Sequence, residues 1–237
     1  MIDFYFINSP NGRKVSIMMA EAGIEHQLIA NDTVDILDPA FRKVSANSRL
    51  PAIVDHAPAF GGEPLAIFES GAILIYLPES SGRFLPTEPR ARYLTLQWLM
   101  WQMAGVGPMH GQAHHFTRYA PDPVDNYALT RFRREAERLL YVMNRRLAES
   151  AYLGCDEYTI ADMACWPWIQ VLNVTEMDYG HLPHLVRWFR EIEARPGVQA
   201  GCPELSPMMQ KPGRIRMPPE IFSRAFGDEL HRRSRID

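Results

Sequence analysis

Strand-like and helix-like patterns alternate through residues 1 to 78, and beyond the Ser-, Gly- and Pro-rich stretch from Pro78 to Pro89 no strand-like segment occurs before residue 200. This break in hydrophobic period leaves few architectures: a small α/β sheet layer followed by a helix bundle. Ile2, Phe4 and Phe6 alternate with Asp3, Tyr5 and Ile7, the period of a strand, until Ser9-Pro10-Asn11-Gly12 stops it. From Asn11 to Ala22 the apolar residues Val15, Met18, Met19 and Ala22 recur at helical spacing, and Gly23 follows where a helix C-terminus favours glycine. Residues 25–30 read as a second strand, 39–44 as a short helix, 52–55 and 65–68 as two more strands, and 69–77 as a helix.

The resulting order, β-α-β-α-β-β-α, predicts a domain over residues 1–78, a linker over 79–89 and an all-helical domain over 90–203. Helices are expected at 90–105, 124–150, 159–173 and 182–194, around Trp98, Trp101, Leu139 and Trp166. The five prolines of residues 203–219 predict an extended arm as the tail over 204–237, ending in a short helix at 220–232.

Composition narrows the function classes. A chain of 237 residues with 46% hydrophobic and 22% charged residues is globular rather than disordered. A net charge of −3 without any stretch of five or six like charges argues against nucleic acid as a partner. Apolar runs end well short of the roughly 18 residues a membrane span needs, and the start lacks the pattern of a signal peptide, so the cytoplasm is the expected compartment. Cys155, Cys165 and Cys202 form no CxxC and suit reduced thiols; no metal site is expected, because adjacent His114 and His115 point in different directions without a partner at ligand spacing. Lysine is scarce, at positions 14, 43 and 211.

Four local features bear on chemistry, and each admits a plainer reading. Ser9 and Asn11 lie at a strand-to-helix turn where free N–H groups favour an anion such as a thiolate, or either residue simply caps the helix. Leu50-Pro51 precedes an apolar strand; Pro51 lacks a donor, so Leu50 can turn its backbone toward a peptide ligand, or the proline merely starts the strand. Glu69-Ser70-Gly71 opens a helix and can hold an amino-acid head, with Glu69 on the ammonium and Ser70 on the carboxylate, or serve as a cap. Thr159-Ile160-Ala161-Asp162 has the spacing of a capping box, whose role is stability.

In this order the motifs resemble those of cytosolic glutathione transferases, across about residues 1 to 200. S-P-N-G-x-K, R-L-P-A-I-V-D-H, G-G-E-P-L-x-I-F-E-S-G-A-I-L-x-Y-L, L-Q-W-L-x-W-Q, G-P-M-x-G-Q-x-H-H-F and A-D-M-A-C-W-P-W are similar, more narrowly, to the bacterial Nu-class and Ure2-like proteins. The resemblance implies a thioredoxin-like first domain whose thiol is borrowed from glutathione, since no cysteine stands between Ser9 and Gly12. It implies glutathione-dependent disulfide reduction with glutathione bound as a thiol pair or as the disulfide. Transferase or peroxidase activity, a conventional conjugating enzyme and a non-catalytic regulatory binder all remain open alternatives.

By position the resemblance assigns catalysis to Asn11 and Ser9 and glutathione binding to Leu50, Glu69, Ser70, Arg131 and Arg49, with Arg131 reaching a carboxylate, within its own or a neighbouring subunit. It also implies a homodimer acting on a small disulfide or electrophile. Tyr5 is a rival thiol donor by likeness to classes with an early tyrosine. Three departures stand out: Ser9 where threonine is frequent, a short loop at 31–38, and a long tail.

Overall fold

The computed structural model of the chain describes residues 1–121, 126–204, 210–233 and 235. Strands β1 (Ile2–Phe6), β2 (His26–Ala30), β3 (Ala52–Asp55) and β4 (Leu65–Phe68) form one mixed sheet in the order β2-β1-β3-β4. β1 pairs parallel with β2 across α1 (Pro10–Ala22), while β1–β3 and β3–β4 are antiparallel. Alternation buries Ile2, Phe4 and Phe6 on one core with Val15, Met18 and Met19 of α1 and with Ile73, Leu74 and Leu77 of α2 (Ser70–Ser81). Ser9 caps α1, and Gly23 ends it at φ 68°, a left-handed position suited to glycine.

Two expectations for this half change. The helix expected at 39–44 is a single 3₁₀ turn, Phe41–Lys43. α2 continues past residue 77 to Ser81 with Pro78 inside it, and Gly82 at φ 67° ends it. The proline lacks one donor and ends no helix here because α2 has only one further turn to make.

The second half is helical: α3 (Pro89–Trp101), α4 (Gly107–Arg118), α5 (Asn126–Glu149), α6 (Ile160–Gln170), α7 (Pro183–Glu193), α8 (Pro196–Gly201), α9 (Pro219–Phe226) and α10 (Asp228–Arg233). The start expected at residue 124 lies outside the described residues. α4 was not expected, because Gly105, Gly107 and Pro108 look like punctuation. A π-helical turn, Gln102–Val106, widens the chain after α3, and Pro108 then falls in the first turn of α4, where its missing N–H costs no helical bond. The buried Arg118 guanidinium donates to the carbonyls of Val174, and of Lys211 and Gly213 in the tail, at 3.1, 2.6 and 3.1 Å. The terminal helix splits in two at Gly227.

α6 is buried from Ile160 to Ile169 and begins with the expected capping box. Asp162 accepts from the backbone N–H groups of Thr159 and Leu153, from the Thr159 hydroxyl and from Trp188 Nε1, at 3.0, 2.9, 3.0 and 2.8 Å. Burial pushes its carboxyl up despite these four donors. Asp162→Asn replaces one acceptor oxygen with a donor and leaves a buried N–H unpaired. The expected cost is about 1–3 kcal/mol, seen as a lower urea midpoint at an unchanged denaturant slope.

Candidate functional site

The sheet topology brings the flagged residues to one end. Because Tyr5 pairs with Ala52 and Ala52 with Phe68, the C-terminal ends of β1 and β4 and the start of β3 lie side by side. Ser9 and Asn11 follow β1, Leu50 and Pro51 precede β3, and Glu69 and Ser70 follow β4.

At the first of these, Ser9 Oγ accepts from Gly12 N–H at 3.2 Å, so the capping role is real, while the hydroxyl keeps its own proton as a donor. A Cβ on Gly12 would lie 2.0 Å from the Ile7 carbonyl oxygen, which explains glycine where α1 meets the end of β1. Asn11 Oδ1 accepts from Trp168 Nε1 of α6 at 3.3 Å. An indole only donates, so this contact fixes the amide and leaves its NH2 end as the free donor. Buried Arg13 donates to Asn8 Oδ1 at 2.8 Å, to Gln170 Oε1 and to the Pro203 carbonyl, pinning the turn to α6 and to the segment beyond α8. Tyr5 instead packs edge-on against Phe41, and burial, with Asp3, pushes its phenol up.

At the second, the Leu50–Pro51 bond is cis. Ser45 Oγ donates to the Arg49 carbonyl at 2.9 Å and accepts from its N–H at 3.2 Å, which holds the approach to β3, while the Arg49 side chain is exposed. Leu50 and Ile7 line a cleft of about 300 Å³ whose far wall is Ile221 and Arg224 of α9. Arg224 and Arg233 reach Asp35 of the 31–38 loop at 3.2 and 3.0 Å. Burial raises the Asp35 carboxyl, but the Leu37 N–H and the two guanidinium groups outweigh it and hold the group below the usual range. On its other side α9 stacks Phe226 on Tyr119 at 5.6 Å and edge-on to His115 at 4.8 Å. Burial, then the nearby Arg118 and His115, lower His114 to about 4. Among the described residues no group of three could hold a metal ion. A larger cavity of about 660 Å³, between residues 82–91 and 155–159, contains none of the residues assigned to catalysis or glutathione binding.

At the third, Glu69 stands before α2 at φ 71° and ψ 114° and makes no capping bond. A non-glycine residue in that region costs on the order of 1–3 kcal/mol, which tertiary structure must hold in place. Its exposed carboxylate and the first N–H groups of α2 are thus open to a ligand. Ser70 is buried, with Lys14 Nζ 3.3 Å from its hydroxyl, and Gly71 lets Met103 pack closely, since a Cβ there would be 2.9 Å from Met103 Cγ.

Arg131 lies apart: it is exposed on α5 and pairs with Glu135 at 3.8 Å. Two further residues, Trp168 and Lys14, touch the site and were not singled out by sequence reasoning. Lys14 belongs to the S-P-N-G-R-K run, three residues beyond Asn11 on α1. Burial raises the thiols of all three cysteines, which disfavours a thiolate of the chain's own.

The family model described as "Glutathione S-transferase, N-terminal domain" matches residues 8–80, and "Glutathione S-transferase, C-terminal domain" matches residues 108–196. The chain is 47% identical over 203 residues to the disulfide-bond oxidoreductase YfcG of Escherichia coli, spanning 84% of this chain and 93% of that one. A glutathione transferase family member from Pseudomonas fluorescens, solved with two glutathione bound, superposes with a TM-score of 0.79 at 40% identity, covering 85% of this chain and 92% of that one. A glutathione transferase from Pseudomonas putida with one glutathione disulfide per subunit gives 0.79 at 39% identity, over 86% and 92%.

The tight turn at Gly12 generates a direct test. Gly12→Ala forces α1 off the end of β1, and thermal unfolding should report a loss of about 1–3 kcal/mol.

Proposed function

Since the chain belongs to the glutathione S-transferase family, we propose that it reduces disulfides with glutathione as the source of the reactive thiol. The observation that carries this reading is the start of α2, where an uncommitted Glu69 carboxylate, the Ser70 hydroxyl and free helix N–H groups match the ammonium and carboxylate of a γ-glutamyl end. Leu50 presents its backbone to the cysteinyl part, which directs the sulfur toward Ser9 and Asn11. The absence of a cysteine from Ser9 to Gly12 and the raised pKa values of all three thiols support a borrowed one.

A free thiol ionises near pH 8.5, and only the thiolate attacks. The Asn11 amide, the Ser9 hydroxyl and the α1 terminus donate to the sulfur and increase its ionised fraction. The thiolate attacks one sulfur of the substrate disulfide; the other leaves as a thiolate and takes a proton. A second glutathione thiolate attacks the mixed disulfide, forming glutathione disulfide and releasing the second substrate thiol. Two glutathione molecules supply the two electrons. The same thiolate can attack an electrophile or a peroxide, which gives transferase or peroxidase activity.

The finer parts of the proposal are these. The chain is a Nu-class, cytoplasmic homodimer with a glutathione-binding domain over 1–78, a linker over 79–89, a helical domain over 90–203 and a tail over 204–237. Exposed Phe60, Tyr93 and Met100 offer apolar surface for the dimer, and the absence of any membrane-crossing helix among the described residues suits the compartment. Arg49 meets the glycyl carboxylate, and exposed Arg131 has the reach to contact a carboxylate of the neighbouring subunit's ligand.

Steady-state reduction of 2-hydroxyethyl disulfide by glutathione tests the reading. The wild type should turn over well above the glutathione-only rate, and Glu69→Ala/Ser70→Ala should lose that gain. Asn11→Ala should lower kcat roughly 10- to 100-fold with little change in glutathione KM, and Trp168→Phe should lower it less, in the same direction. Brisk reaction with an aryl halide alone would indicate a conjugating enzyme; glutathione binding without turnover would indicate a regulator.

A further inference from the structure

Lys14 takes no part in the chemistry above, yet its side chain is buried directly behind the start of α2, with the residue only 1% exposed. Nζ donates to Gln102 Oε1 at 2.6 Å, to Ser70 Oγ at 3.3 Å and to Met103 Sδ at 3.4 Å. All three partners are neutral, whereas a buried ammonium demands a counter-charge. The elements packed on this part of α1 supply little. α2 brings the Glu69 carboxylate, which attracts Lys14 without a direct contact; α6 brings the Cys165 thiol, kept neutral by burial; the π turn brings Gln102 and Met103. α8 meets α1 elsewhere, at Ile17 and Glu21 against Gly201 and Gly197. Burial therefore lowers Lys14 to about 7, although the Glu69 carboxylate pulls it upward.

The Ser70 hydroxyl completes the arrangement. Its oxygen accepts from Lys14, and its own proton has the Met103 sulfur at 3.8 Å, a weak acceptor that a carboxylate would displace. A carboxylate arriving at the first turn of α2 meets a hydroxyl ready to donate and a cation behind it.

We propose that Lys14 is a positioning residue for the ligand carboxylate: it turns the Ser70 hydroxyl outward and takes up a proton as the carboxylate binds. The proposal rests on the reading of the α2 start as the seat of the γ-glutamyl end. The sign follows from linkage. A bound carboxylate favours the ammonium, so the complex keeps the Lys14 proton to higher pH than the free protein. Above about pH 7, binding draws a proton from solvent, and affinity falls with rising pH by up to tenfold per unit.

Calorimetric titration with S-methylglutathione at pH 8, in phosphate and in Tris, tests this, since the thioether cannot titrate and the two buffers differ in ionisation heat. The wild type should show buffer-dependent heat equivalent to roughly half a proton or more taken up. Lys14→Met, nearly isosteric, should bind on the order of tenfold more weakly and lose that uptake. The ligand's amine contributes equally to both proteins, so their difference isolates Lys14. Should the variant not fold, the wild-type buffer comparison decides alone: binding with buffer-independent heat overturns the Lys14 proposal and leaves the glutathione reading standing. No binding by the wild type overturns both.

Discussion

A buried carboxylate with four donors around it fixes where α6 begins, and α6 in turn fixes the site. Asp162 ties the start of the helix to the 153 loop and to Trp188 of α7. From that anchor, Trp166 donates to the Phe189 carbonyl, Trp168 reaches Asn11, and Gln170 receives Arg13. The sheet layer provides the ligand-facing turns, but their orientation is set from the helical half. Hydrogen bonds of this kind are individually modest; their effect here is to orient the Asn11 amide and to pin the turn that carries it.

The start of α2 shows the complementary principle, in which local cost is concentrated where a ligand would relieve it. Glu69 holds an unfavourable backbone conformation, its carboxylate is not spent on the helix, and Lys14 is buried among neutral acceptors. Each of these features costs free energy locally, and in the proposed reading a zwitterionic head would pair with the two charges. Gly71 lets Met103 close against the start of α2 beneath them.

What the sequence disclosed divides along range. Period and caps located β1, α1, β3, β4, α6 and α7, because those signals lie within a few residues of each other. α4 escaped because a π turn changes the helical phase just where Gly105, Gly107 and Pro108 suggest a break; α8 is too short to show a period. The same rule governs the site. Ser9, Asn11, Leu50, Glu69 and Ser70 stood in local motifs, and the antiparallel pairing of β3 with its neighbours brought them together. The Trp168–Asn11 and Lys14–Gln102 contacts join residues 157 and 88 apart in sequence, which no local pattern reveals. Trp168 reads as core because nearly all of its surface is buried; only the indole N–H reaches out of the core, to Asn11.

The seating of α9 and α10 mixes two forces that answer differently to ionic strength. On one side Arg224 and Arg233 reach Asp35 at a partly exposed surface, where added salt screens charge within about one Debye length. On the other, Phe226 lies on Tyr119 and His115, a contact that excluded salts strengthen. Raising the salt concentration should therefore weaken the cleft wall's hold on the 31–38 loop more than its aromatic contacts with Tyr119 and His115, so the two sides of the wall over Leu50 differ in what keeps them in place.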